Sequence, residues 1–268
     1  MNWIGISGWR YAGWRGKFYP KGLAQRRELL FASRNFNSIE INGSFYSLQT
    51  PSSYKRWSDE TPSGFVFSVK GARYITHMKR LRDVETPVAN FFASGLLALR
   101  EKLGVILWQF PPQLKWDPAK FSKFFRLLPG DTDEAAQLGK KHDGKLKARA
   151  FLKIDIVRPL RYAVEIRHQS FVTPEFFDLL RKHNIALVCA DTAGKWPYNE
   201  KLTADFAYAR LHGDKQLYVS GYDDKAIAMW AARIKAWRKR VDDVYVYFDN
   251  DAKVHAPFDA RRLMERLE

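Results

Sequence analysis

Two periodicities alternate along this chain. Short runs rich in β-branched and aromatic residues read as strands, and between them lie longer stretches with apolar residues at helical spacing. The strand candidates are IGISGW from Ile4, SIEIN from Ser38, FVFSVK from Phe65, GVILWQF from Gly104, YAVEIR from Tyr162, IALVCAD from Ile185, FAYARLH from Phe206 and VYVYFDN from Val244. Helix starts are legible where an Asp or Thr can cap free N–H groups and the following Pro takes the first helical position. Thr86-Pro87 opens VANFFASGLLALREKL, Asp117-Pro118 opens AKFSKFFRLL and Thr173-Pro174 opens EFFDLLRKH. Asp223 and Asp224 begin an amphipathic helix, KAIAMWAARIKAWRKR, whose cations gather at the C-terminal end favoured by the helix dipole. A last helix is expected from about Asp259 to Leu267.

Strand–helix alternation throughout implies a parallel sheet, and about eight units favour closure into a barrel. An open doubly wound sheet is the alternative. Its dinucleotide-binding form needs a Gly-rich loop after the first strand, and the GWRYAGWRG found there lacks the GxGxxG spacing. The expected architecture is α/β, a single (β/α)8 TIM-type barrel over residues 1–268. A charged segment from about Gly130 to Arg158, with one helix around Glu134 to Lys141, reads as an insertion between strands four and five.

Side chains alternate between the two faces of a strand, which separates barrel interior from helix-facing exterior. Ile39 and Ile41 oppose Glu40 and Asn42; Phe67 and Val69 oppose Ser68 and Lys70. Val164 and Ile166 oppose Glu165 and Arg167, while Ala209 and Leu211 oppose Tyr208, Arg210 and His212. The same reading leaves Gln109, Asp191 and Asp249 at the ends of strands four, six and eight. Unpaired buried charge is costly, so these groups must pair with one another, meet water or bind a ligand. In barrels the active site lies at this C-terminal mouth.

Composition agrees with a large buried core: 46% of residues are hydrophobic and 28% charged. The opening MNWIGISGW reads as a strand, so neither signal peptide nor membrane span is expected, and the cytoplasm is the expected compartment. Cys189 is the only cysteine, which excludes an intramolecular disulfide or a Cys-based zinc cluster within one chain. Forty-five Lys and Arg against 29 Asp and Glu give a net charge of +16, which attracts anionic small molecules or nucleic acid.

The segments SGWRYAGWRGKFYP, FNSIEINGSFY, FSVKGARYITH, LGVILWQFPP, YAVEIRHQSF, ADTAG, ARLHG, SGY and YVYFDNDAKVHAPFDA together resemble the YecE-like family of bacterial and archaeal proteins. They run in order from end to end of the chain. The resemblance implies a TIM-type barrel and carries no assigned reaction. The family pattern often has Phe where this chain has Ile166, a position that faces away from the mouth by parity.

The candidate chemistry follows from these positions. Glu40 and Glu165 are the expected acid–base pair, with His212 assisting proton transfer and Asp191 as a further catalytic carboxylate. Lys70, Arg73, Arg167 and Arg210 are suited to capture carboxylate or phosphate. Asn42, Gln109, Tyr46, Trp9, Asp249 and Asn250 complete the expected substrate contacts. The alternative for the charged set is a network of ion pairs that only organises the barrel. No cofactor is expected. A divalent metal held by Glu165, His168, Asp191, His212, Asp249 or Asp251 is a secondary reading, because no compact ligand motif is present and the cations oppose it. The leading functional expectation is an enzyme acting on a phosphoester or nucleic-acid-like substrate. A non-catalytic nucleic-acid binder is the first alternative. A carbohydrate-active hydrolase, suggested by Trp9, Trp14 and the carboxylate pair, is the second.

Overall fold

The computed structural model describes residues 1–147 and 149–268, and in it eight parallel strands close into a barrel in sequence order. The strands are β1 Asn2–Ser7, β2 Ser38–Ile41, β3 Val66–Lys70, β4 Leu103–Gln109, β5 Arg161–Glu165, β6 Ile185–Asp191, β7 Phe206–Leu211 and β8 Asp243–Phe248. β8 returns to pair with β1 over Asn2↔Val244 to Ile6↔Phe248. Every expected strand forms within two residues of its expected bounds.

The helices are α1 Glu28–Ala32, α2 Gly43–Tyr46, α3 Pro51–Glu60, α4 Glu85–Ala93, α5 Pro118–Leu127, α6 Thr132–Gly139, α7 Pro174–Lys182, α8 Asp224–Arg238 and α9 Ala256–Glu265. Asp117, Thr173 and Asp223 cap α5, α7 and α8 as expected, accepting from the backbone N–H of Lys120, Phe176 and Ala226. A further Thr-Pro start, Thr50-Pro51, opens α3 with the same bond to Ser53. α4 departs from expectation. It begins at Glu85 without a side-chain cap, and Gly95 at φ 115° ends its run, so the stretch to Leu103 continues only as a 3₁₀ segment, Leu96–Lys102. A Cβ at Gly95 would stand 2.5 Å from Pro51 Cα, so glycine lets the turn pack against the start of α3. α9 starts three residues earlier than expected, at Ala256.

The inserted segment is tied down at both ends. Asp131 caps α6, Thr132 N–H and Leu160 N–H donate to the Arg158 and Gly130 carbonyls, and Phe151 N–H donates to Ala93 O at the end of α4.

Apolar residues divide as parity requires. Ile4, Ile39, Phe67, Ile106, Trp108, Val164, Leu187, Ala209 and Val246 face the helices, where α8 presents Ile227, Trp230, Ile234 and Trp237 along one stripe. A separate cluster fills the barrel with Val105, Leu107, Ala163, Ala186, Val188, Ala190, Phe206, Tyr208, Tyr245 and Tyr247. The small residues of β5 and β6 make room for the large ones of β7 and β8. Among the described residues no helix is long and apolar enough to cross a membrane.

Candidate functional site

Above the apolar filling of the barrel lies a layer of hydroxyls. Tyr247 OH pairs with Ser38 Oγ at 2.5 Å and Ser68 Oγ at 2.8 Å, and Tyr208 OH donates to Glu40 Oε2 at 2.7 Å. The next layer is charged and centres on Arg210, whose side chain is fully buried. Its Nε and Nη2 donate to the two oxygens of Glu40 at 3.1 and 2.8 Å. Nη1 donates to Glu165 Oε2 at 2.7 Å, and Nη2 also reaches Asp249 Oδ2 and Ser7 Oγ, each at 2.9 Å. One guanidinium thus joins carboxylates from β2, β5 and the end of β8 (Glu40, Glu165 and Asp249), using the five-donor fork that only Arg has.

Both carboxylates expected as acid and base are saturated. Glu40 also accepts from Ser7 Oγ and has no exposed surface. Glu165 accepts from Gln109 Nε2 and Arg167 Nε, each at 2.9 Å, besides Arg210. Burial alone would raise the Glu165 carboxyl, but Arg167 and Arg210 outweigh it and hold the group well below the usual range. A carboxylate so stabilised is a weak base and has no proton to give near neutrality. His212 completes the layer: Arg210 Nη1, which can only donate, lies 3.2 Å from its Nε2, and its Nδ1 stands 3.0 Å from Asp249 Oδ2.

The open space lies above this layer, in a cavity of about 880 Å³ at the C-terminal mouth. Of the expected residues, Lys70, Arg73, Arg167, Asn42, Gln109, Tyr46 and Asp249 line it. Arg167 is held between Glu165, the Tyr218 hydroxyl at 3.4 Å and the Trp196 ring, whose centroid is 3.7 Å away. Arg73 lies over Tyr46 at 5.3 Å. Neither Arg73 nor Lys70 has an ion pair or a side-chain hydrogen bond among the described residues, but Arg73 is exposed whereas Lys70 is buried, its Nζ 4.4 Å from the centre of the Phe45 ring. Burial, then Arg210, pulls its pKa down to about 8, against the opposing pull of Glu165 and Glu40.

The mouth also takes in Asp251, expected only as a possible metal ligand, together with Tyr11, Phe45, His77, Met78 and Tyr218, which stand outside the expected catalytic and substrate-contact set. Burial and the neighbouring Asp249 push the Asp251 carboxyl up to about 7. Burial and then Arg167 push the His77 imidazole down to about 4, so it is neutral at pH 7. Tyr218 adopts φ 62°, a left-handed conformation that L side chains resist, and its ring packs edge-on to His212 at 5.3 Å. These residues come from the segments beyond the strand ends, Phe45 from α2 and His77 and Met78 from a π-helical turn over Tyr74–Met78, where strand parity gives no signal. For Asp251, the one usable cue is the acidic pair DND after β8.

Three expected residues fall elsewhere. Asp191 shares its strand face with Ile185, Leu187 and Cys189, so it points outward; there it accepts from Tyr222 OH at 3.1 Å and lines a separate cavity with Tyr198, Trp230 and Arg233. Asn250 is buried, donates to Asp259 Oδ2 at 2.9 Å and the Ser220 carbonyl at 3.0 Å, and ties the end of β8 to α9. Trp9 packs edge-on against Trp57 beneath a side pocket next to the mouth. Trp9 and Trp14 are only 6% and 1% exposed, which leaves little face for a sugar to stack on. Among the described residues no three His, Cys, Asp or Glu side chains are grouped to hold a metal ion.

Comparison with known proteins agrees with this architecture. The UPF0759 protein YunF of Bacillus subtilis (strain 168) is 23% identical over 299 residues, covering 100% of this chain and 95% of that protein. The UPF0759 protein YecE of Escherichia coli (strain K12) is 28% identical over 111 residues, 41% of this chain and 38% of that one. A crystal structure of a DUF72 family protein from Thermotoga maritima MSB8 superposes with a TM-score of 0.78 at 24% identity, covering 100% of this chain and 99% of that one. One from Enterococcus faecalis V583 does so at 0.77 and 16% identity, covering 100% and 95%. Residues 3–268 match the family described as "Protein of unknown function DUF72", so this chain belongs to the DUF72 family.

Proposed function

We propose that the barrel mouth is the active site of an enzyme whose substrate carries an anionic group, and that proton transfer there runs through Lys70 and Asp251. The observation that carries this reading is Lys70: a cation 8% exposed, without an ion pair among the described residues, facing a cavity of ligand size. Arg167 and Arg73 supply further positive charge on the same wall. Near pH 7 both Lys70 and Asp251 are within reach of titration, the condition general acid–base catalysis requires. In this reading Arg210, Glu40, Glu165 and His212 form the fixed frame beneath the reacting groups, and Gln109 and Asn42 orient the ligand. Phosphoesters are the first substrate class to test.

Calorimetric titration with inorganic phosphate and pyrophosphate, alongside turnover of p-nitrophenyl phosphate and its diester, tests it. Lys70→Met is expected to weaken anion binding by about 1–2 kcal/mol, or roughly tenfold. Absence of both binding and turnover in the native chain would overturn the reading.

A second reading, single-stranded nucleic acid held at the rim, is favoured by two exposed tyrosines that each carry a cation over the ring: Arg73 on Tyr46 and Lys145 on Tyr74, the latter at 4.8 Å. Together with the charge of +16 this suits base stacking beside phosphates. Fluorescence anisotropy of a labelled oligonucleotide should then show affinity falling steeply with salt. Binding that ignores salt rules it out.

A further inference from the structure

We propose that Lys70 is a covalent nucleophile toward carbonyl compounds that carry an anionic group, such as 2-oxo acids or sugar phosphates. The inference rests on anion binding at the mouth, as proposed above, but not on phosphoester cleavage.

An amine that only balances charge is expected to sit against a carboxylate. Lys70 shares the cavity wall with Asp249 and Asp251 and lies above Glu40 and Glu165, yet Arg210 and Arg167 take up Glu40, Glu165 and Asp249, and no carboxylate oxygen lies within 4.0 Å of Nζ among the described residues. What meets the amine is the Phe45 ring. The position is also rigid. Ser44 Oγ donates to the Lys70 carbonyl at 2.7 Å and Gly71 N–H donates to Leu107 O at 2.8 Å, so the end of β3 is fastened on both sides. A Cβ at Gly71 would stand 2.2 Å from the Trp108 ring, so only glycine fits there without a shift. A lysine desolvated by an aromatic wall and set beside another cation is the arrangement that favours the unprotonated, nucleophilic amine.

The step balances within the cavity. The Nζ lone pair adds to the carbonyl carbon, and the carbonyl π pair moves to oxygen, which takes the proton lost by Nζ. The resulting hydroxyl leaves as water with a proton from Asp251, whose carboxyl is left ionised, and nitrogen closes a C=N bond as a protonated imine. Arg167 and Arg73 hold the substrate's carboxylate or phosphate. At pH 8 about half of Lys70 is unprotonated, against roughly one in 250 for an ordinary lysine.

The test is reductive trapping of the full chain with glyoxylate, pyruvate or dihydroxyacetone phosphate and cyanoborohydride, with each modified lysine located by peptide mass spectrometry. Inorganic phosphate binding is measured on the same preparation. Lys70 is expected to label about tenfold or more faster than the other lysines, on a pH profile with its midpoint near 8, and excess phosphate should slow it. Arg167→Met should slow Lys70 labelling while leaving the other lysines unchanged. If phosphate binds but Lys70 labels no faster than surface lysines, the nucleophile inference fails and the anion site stands. If Lys70 labels selectively but phosphate neither binds nor competes, the amine is a nucleophile and the anionic handle is overturned.

Discussion

Arg210→Met removes the one cation that Glu40, Glu165 and Asp249 share while keeping most of the side-chain volume. Deleting one partner of a buried pair typically costs about 3–5 kcal/mol, because the remaining charge is left without compensation. Here three carboxylates and Ser7 lose a donor at once, and Arg167 remains for Glu165 alone. A loss of at least about 3–5 kcal/mol at pH 7 is therefore expected, a large fraction of the roughly 5–15 kcal/mol by which domains are stable. For a chain of this size it corresponds to a fall in Tm of roughly 6–20 °C.

The pH dependence distinguishes this cause from simple misfit. In the native chain Glu165 and Asp249 are held below their ordinary range, so their stabilisation is present above about pH 4 and fades as pH falls through the lowered folded values. Without Arg210, burial dominates and these carboxyls rise, so the folded variant takes up protons as the solution is acidified. Urea unfolding followed at pH 7, 6 and 5 should then show the gap between variant and native chain narrowing with acid. Adding Glu40→Gln to Arg210→Met should recover part of the loss. A gap below about 1 kcal/mol at pH 7, or one that does not shrink by pH 5, refutes the account of Arg210 as the hub of the site.

Asp251→Asn should leave stability unchanged near pH 4 and raise it by about 1–3 kcal/mol at pH 8, because a carboxyl held up to about 7 when folded loses stabilisation as pH rises from its ordinary value toward 7; equal denaturation midpoints at pH 8 would count against it. Cys189, whose thiol is pushed up to about 12 by burial, should resist a disulfide reagent at pH 8 and react fully once guanidinium unfolds the chain. Rapid reaction of the folded protein would contradict that burial. Gly71→Ala places a methyl group into the Trp108 ring and should lower stability by about 1–3 kcal/mol in thermal melts, while shifting the end of β3 that carries Lys70. An unchanged melt would show that Trp108 can move aside.

The legible part of the site was the part carried by strands. Alternation placed Glu40, Lys70, Glu165 and Arg210 inside the barrel because the pleat leaves a side chain only two directions. It also contained the correct answer for Asp191, which continues the outward row of Ile185, Leu187 and Cys189, although its terminal position on β6 suggested the mouth. Tyr11, His77, Tyr218 and Asp251 stand beyond the strand ends, where the strand period no longer applies, and only the closed barrel brings them over one cavity. α4 shows the same limit for helices. Thr86-Pro87 is a sound start signal, but the turn at Gly95 follows from the approach of Pro51, a residue far away in sequence.

Local order was thus determined by the sequence itself: the strands, most helix caps, the charged insertion and the sorting of polar from apolar faces. These depend on backbone geometry repeated over a few residues. Which charges neutralise each other was decided only by tertiary structure, since that depends on distances across the barrel. Closure gives Arg210 to three carboxylates, surrounds Glu40 and Glu165 with donors, and leaves Lys70 without an ion pair among the described residues. Electrostatic energy falls with separation and rises with burial, and neither quantity exists until the eight strands have met.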